Sequence, residues 1–155
     1  MATINVRPRL SGLAFVLALA VPWSMQVFTG RDATLLFAWG LVNTNPYTVV
    51  TLPEFLFVYT QGLPGYIRAW PLSVGLYGLA AGSAVVGWRL RREDSRVTAG
   101  LLVCAAVLQA QLAWGFSLQP NRVAWPIGSV VLVVVAAIHY RATGGARRGD
   151  APDAD

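Results

Sequence analysis

The chain has 155 residues, 55% of them hydrophobic and 12% charged, with 12 basic side chains against 7 acidic ones and a formal charge of +5. One small soluble core cannot bury that much apolar surface, so the composition points to a bilayer as the solvent. The basic residues form no stripe interleaved with aromatics, which argues against nucleic acid as a partner, and the single cysteine, Cys104, excludes an intrachain disulfide.

Four segments carry enough apolar length, about 17 to 25 residues each, to cross a hydrocarbon core of roughly 30 Å. The first covers residues 10–29. Arg7 and Arg9 precede "LAFVLALA", and Ala18-Leu19-Ala20 would serve as a cleavage site, so a secretory signal is the rival reading. The apolar run continues past Ala20 through Val21 and Trp23 to Phe28, which favours a retained span kinked at Pro22.

Residues 30–68 follow as a connection of about forty residues, far longer than most, so it needs structure of its own. Two short helices are predicted there. Asp32 caps the first, "ATLLFAWGLV", which runs into the turn Asn43-Thr44-Asn45-Pro46. Thr51-Leu52-Pro53-Glu54 matches a capping box that opens the second, "LPEFLFVYTQ", and Gly62 and Pro64 end it. Each helix of about ten residues rises roughly 15 Å, half a bilayer. The pair either dips into the membrane as a re-entrant hairpin or lies in the interface as a lid anchored by Phe55, Phe57, Tyr59 and Tyr66. An asparagine-rich turn at mid-membrane needs partners that a small bundle hardly supplies, which favours the lid. Asn43, Asn45, Glu54 and Tyr59 are therefore the candidate outer functional surface.

The second span, residues 69–88, carries Gly78, Gly82, Ser83 and Gly87 at spacings that leave small residues on one helix face for close packing, by default within the chain. "RLRREDSR" then reads as a solvated turn. Glu93 and Asp94 lack a neighbouring histidine and are poor metal ligands. The third span, residues 97–116, holds Gln109 and Gln111, intramembrane polar residues that either bond to other helices or contact a substrate. The fourth covers residues 123–140. The tail, residues 142–155, combines Gly, Pro, Ala and Asp with nothing to bury and is expected to be disordered.

Arginine sets the direction of the spans. With the N-terminus inside, Arg7, Arg9, Arg89, Arg91, Arg92, Arg96, Arg141, Arg147 and Arg148 are cytoplasmic, and Arg31, Arg68 and Arg122 lie outside. That asymmetry places both termini in the cytoplasm. Trp70, Trp114 and Trp125 near outer ends and Trp88 near an inner end agree. The expected fold is all-α: an integral membrane four-helix bundle, residues 1–141, with a structured outer loop of two short interfacial or re-entrant helices.

Catalytic signatures are missing. The chain has no Gly-rich phosphate loop, no Ser-His-Asp arrangement and no His or Cys pair at metal spacing, so no catalytic, cofactor or metal residue is assigned. Glu54 is an acid on the outer side, yet helix capping explains it more cheaply than proton carriage. Cys104 and His139 differ in depth by roughly two helical turns, too far for a nucleophile and its base, and His139 reads as an interfacial residue.

The stretch "LLFAWGLVNTNPYTVVTLPEFLFVYTQGLPGYIRAWPLSVGLYGLA", the all-arginine basic content and the acidic tail resemble a family of haloarchaeal multi-pass membrane proteins encoded near archaeosortase A. The resemblance covers nearly the whole chain and implies a link to archaeosortase-dependent processing of surface proteins. It does not imply that enzyme itself, since "LLVCAAVLQ" lacks the Ala-Cys-x-Gly setting of its nucleophile. The leading expectation is a non-enzymatic accessory or scaffold protein of the cell membrane, with the lipid bilayer and another membrane protein as partners. The alternatives are a small transporter lined by Gln109, Gln111, Ser129 and Glu54, and an intramembrane thiol enzyme using Cys104.

Overall fold

The computed structural model describes residues 6–30, 32–59, 64–90 and 94–144. Helix α1 spans Val6–Ala20 and stops before Pro22. Proline has no N–H for the Ala18 carbonyl, and it biases the residue before it toward extended backbone. The Trp23 indole N–H supplies the missing donor, at 2.8 Å from the Ala18 oxygen. The chain then continues as strand β1, Ser24–Phe28.

Strands β2 (Ala33–Leu36), β3 (Gly40–Thr44) and β4 (Tyr47–Thr51) extend β1 into an antiparallel meander. Helix α2 (Leu52–Val58) and a 3-10 turn (Gly65–Arg68) lead into α3 (Ala69–Leu90) and α4 (Ser95–Ser117). Strand β5 (Arg122–Trp125) pairs antiparallel with β1 and passes into α5 (Ile127–Gly144). The resulting five-stranded sheet has the order β4-β3-β2-β1-β5.

This sheet overturns the expected all-α four-span bundle. The sequence read as a first outer helix, "ATLLFAWGLV", is β2, a turn and β3. An apolar run of that length fits either period, and tertiary pairing decides. Gly40 shows how: a Cβ there would lie 2.5 Å from the Val50 carbonyl oxygen, so β3 approaches β4 more closely than any side chain permits. The Asn45-Pro46 pair does turn the chain, but between two strands and through a cis peptide bond. The second outer helix is present as α2, shorter than expected, with the Glu54 N–H donating to the Thr51 hydroxyl at 3.4 Å.

Two helical stretches, Gly65–Leu90 and Ser95–Ser117, are long and apolar enough to cross a membrane. The other two apolar helices, Leu10–Ala20 and Ile127–Thr143, are shorter, because β1 and β5 take residues assigned to the first and fourth spans. Gly62, Glu93 and residues 145–155 of the expected disordered tail lie outside the described residues.

Helix α4 packs between α3 and α5, and α1 lies on α5. Phe15, Trp23, Tyr77, Leu102 and Leu132 belong to the core between the helices, while Leu36, Trp70, Leu112, Phe116 and Ala124 form a second core beneath the sheet. The sheet therefore caps the end where α1 and α4 finish and α3 and α5 begin. Trp23 is the seam. Its N–H donates to the Leu36 carbonyl at 2.6 Å, and its own carbonyl accepts from Gly128 at 2.6 Å. Gly128 is needed there, since a Cβ would fall 2.7 Å from that of Trp23.

Candidate functional site

Side chains alternate across a sheet, and the register sorts them into two unlike faces. One face carries Met25, Val27, Leu35, Val42, Val49, Val123 and Trp125. These are apolar, with Val49, Val123 and Trp125 exposed, while Thr44 and Thr51 add exposed hydroxyls to the same face at the β3–β4 end. The opposite face carries Ser24, Gln26, Leu36 and Ala124, all buried against the helix ends. The β1, β2 and β5 part of the sheet thus turns an apolar side outward and keeps Ser24 and Gln26 inward, the reverse of a sheet that faces water on one side.

A polar row crosses the inner face. Gln26 stands opposite Thr34 and Ala124, Thr34 opposite Asn43, and Asn43 opposite Thr48. The Thr34 hydroxyl donates to Asn43 Oδ1 at 2.7 Å, and Asn43 Nδ2 reaches the Thr48 hydroxyl at 3.5 Å. Gln26 is 4% exposed, and its amide has no hydrogen-bond partner among the described residues. On the same face Arg122 stands opposite Phe28, its guanidinium carbon 5.0 Å from the ring centroid. Its Nε is buried and unpartnered among the described residues. Ser24, one pair deeper, also keeps an unpartnered hydroxyl. Buried polar groups are nearly always bonded, so two buried unpartnered groups on one face, Arg122 Nε and Ser24 Oγ, with Gln26 between them, mark the face as a candidate site.

Residues 2–148 match a family described as a domain of unknown function, DUF8050. The chain belongs to this family. No match is found among curated proteins. The DUF8050 description carries no activity, and the match bears neither on a haloarchaeal source nor on archaeosortase.

The DUF8050 fold disperses the expected outer surface. Asn43 sits in the polar row, while Asn45 lies in the β3–β4 turn and donates to Asp32 at 3.0 Å. Glu54 and Tyr59 are exposed at opposite ends of α2. Sequence reasoning missed Gln26 because it fell inside an apparent span. The alternation Ser24, Gln26 against Met25, Val27 was the available signal. Arg122 entered only as a topological charge.

Within the helices, Gln109 is fully buried and donates to the Ser73 hydroxyl, which donates to the Trp70 carbonyl at 2.7 Å. Gln111 points outward from α4, and Ser129 donates to the Ala106 carbonyl at 2.8 Å. With Glu54 exposed on α2, these groups do not line one path through the DUF8050 bundle. The Gly78/Gly82 face likewise packs against none of the described residues: both glycines are exposed, and a Cβ at either would meet nothing among them within 4 Å. Ser83 accepts from Thr98 at 3.0 Å, and Gly87 is buried.

His139 is buried rather than interfacial, with Nδ1 2.7 Å from the Ser11 hydroxyl and the Phe15 ring edge-on to it. The Ser129–Ala106 bond sets the register of α5 against α4 and places His139 about 12 Å along the helix axis from Cys104. Cys104 itself is exposed. The two do not form a thiol–imidazole pair.

Gln109 gives a direct test of packing against chemistry. Its carbonyl oxygen is buried without a partner, which offsets much of the roughly 0.5–1.5 kcal/mol that a hydrogen bond contributes net. Gln109→Met is therefore expected to change the unfolding free energy by less than about 1 kcal/mol. Thermal melts of the purified protein check this; a loss several times larger would give the amide a role beyond joining α3 to α4.

Proposed function

We propose that this DUF8050 chain is a multi-pass membrane protein that holds its sheet at the outer surface as a non-enzymatic docking platform. The observation that carries this reading is the distribution of exposed side chains. Every long helix presents large apolar groups outward: Leu13 and Val16 on α1, Leu79 and Val86 on α3, Val103 and Val107 on α4, Val133 and Val134 on α5. Soluble monomers rarely expose contiguous patches of this kind. Among the described residues the charged ones are confined to the two ends, with Arg89, Arg96 and Arg141 away from the sheet and Arg68 and Arg122 beside it. Trp88 and Tyr140 are exposed at one end, Trp39, Trp114 and Trp125 at the other, as in interfacial belts.

The arginine bias supports an outer position for the sheet. Open sheet edges are not tolerated in hydrocarbon, so β4 belongs at the level of the headgroups or above them. Its free edge, Tyr47–Thr51, offers main-chain groups to an extended segment of another protein, which supports an accessory role. Archaeosortase-dependent processing as the setting rests on the family resemblance alone.

Native Cys104 provides the test. The thiol is exposed on α4 without a membrane and faces hydrocarbon if the helices span one. In broken cells a membrane-impermeant maleimide is expected to leave Cys104 unlabelled until the bilayer is dissolved and the chain denatured. Labelling before disruption, or recovery of the chain in the soluble fraction, would sink the membrane reading. In a Cys104→Ser background, Asn45→Cys should be labelled from outside intact cells, and labelling confined to the inside would invert the orientation.

A further inference from the structure

We infer that the inner face of the sheet binds a phosphate-class oxyanion between Arg122 and Gln26. The two residues are diagonal neighbours on one face, since Arg122 stands opposite Phe28 and Gln26 opposite Ala124. Diagonal positions in an antiparallel pair are about 7–8 Å apart, within reach of two long side chains. Yet Arg122 Nε and the Gln26 amide do not bond to each other, and neither has another hydrogen-bond partner among the described residues. A bridging acceptor with oxygens pointing in several directions satisfies both. No carboxylate among the described residues pairs with Arg122; the nearby Asp32 accepts from Asn45.

The chemistry favours an oxyanion over a cation or a neutral sugar. The guanidinium is a planar fork of donors that matches phosphate oxygens, and the Phe28 ring beneath it limits its rotation. Gln26 contributes an amide N–H from a site almost closed to solvent, where a charge-assisted bond is strengthened by the low dielectric. Thr34, the next member of the row, spends its own donor on Asn43 and makes no bond to Gln26. Phosphate reaches such a site either as a lipid headgroup or as the free ion. The lipid source rests on the membrane reading; the free ion does not.

The test uses the full chain purified in a phosphate-free maltoside detergent. Inorganic phosphate, added against chloride at constant ionic strength, is expected to raise the melting temperature of the wild type. Arg122→Gln should weaken that response about tenfold, the scale of one lost charge-assisted bond, and Gln26→Leu several-fold. Arg68→Gln, an exposed arginine at the same end, should leave it unchanged. In parallel, protein is recovered from vesicles of phosphatidylglycerol mixed with a phosphate-free glycolipid, and retained lipids are counted by native mass spectrometry. Retention of the phospholipid by wild type and its loss in Arg122→Gln would assign the site to a headgroup. A phosphate response without retained lipid would assign it to the free ion, even if the chain does not span a membrane. Should Arg122→Gln fail to fold, Gln26→Leu carries both measurements. The proposal is overturned if neither measurement separates the folded variants from wild type, or if Arg68→Gln loses as much as Arg122→Gln.

Discussion

Trp23→Ala is expected to lower the unfolding free energy by about 3–5 kcal/mol, the range for removing a large aromatic side chain from a packed core. The indole is fully buried and packs edge-on against Tyr77, with ring centroids 5.2 Å apart. A second loss adds to the cavity. Pro22 cannot donate to the Ala18 carbonyl, so without the indole N–H that buried oxygen has no donor in its own helix. Trp23→Phe weights the second term, because it keeps one aromatic ring in the pocket, leaves a smaller cavity than alanine and removes the donor. It should cost about 1–3 kcal/mol, less than the alanine. Thermal or denaturant unfolding of both variants in detergent decides the matter. A cost below about 1 kcal/mol for Trp23→Ala would mean that the seam between α1 and the sheet is not where the structure places it.

Gly40→Val should produce the second large effect, and a more local one. The Cβ position faces backbone, 2.5 Å from the Val50 oxygen and 3.1 Å from the Thr51 Cα, so no side-chain rotation relieves the clash. Overpacking typically costs about 1–3 kcal/mol, and the upper part of that range is expected where two strands must part. Parting them also strains the bond from the Leu52 N–H to the Trp39 carbonyl, 2.9 Å, which ties the start of α2 to the sheet. Hydrogen exchange should therefore accelerate through β4 and α2 while α3 and α4 keep their protection. Uniform acceleration across all elements, or none in β4, would contradict this account.

The parts of the fold legible in the sequence are those specified by neighbours. Helices α3 and α4 announce themselves through unbroken apolar length with charges only at their margins, and α2 begins where Thr51 and Glu54 supply local capping chemistry. The sheet was hidden because its strands are short and lie inside or beside apolar runs that satisfy the length test for a span. Ser24 to Phe28 alternates as a strand should, but five residues are too few to outweigh an apolar run. Its partner β5 lies about a hundred residues further along, so no local pattern could reveal the pairing. The candidate site shares that origin. Asn43 was singled out for turn chemistry, whereas its place in the polar row depends on Thr34 and Thr48, and Gln26 and Arg122 become neighbours only once β1 meets β5.

That distant pairing has a consequence for synthesis. Strands β1 to β4 are consecutive and can pair as soon as residue 51 has left the ribosome, whereas the outer side of β1 has no strand to accept it until β5 is made. Two long apolar helices are translated in the interval. During that time β1 is an open edge on a nascent chain, and the Gln26 end of the candidate site exists without Arg122. Any chaperone or partner that engages extended backbone has its opening then, and the arrival of β5 closes it.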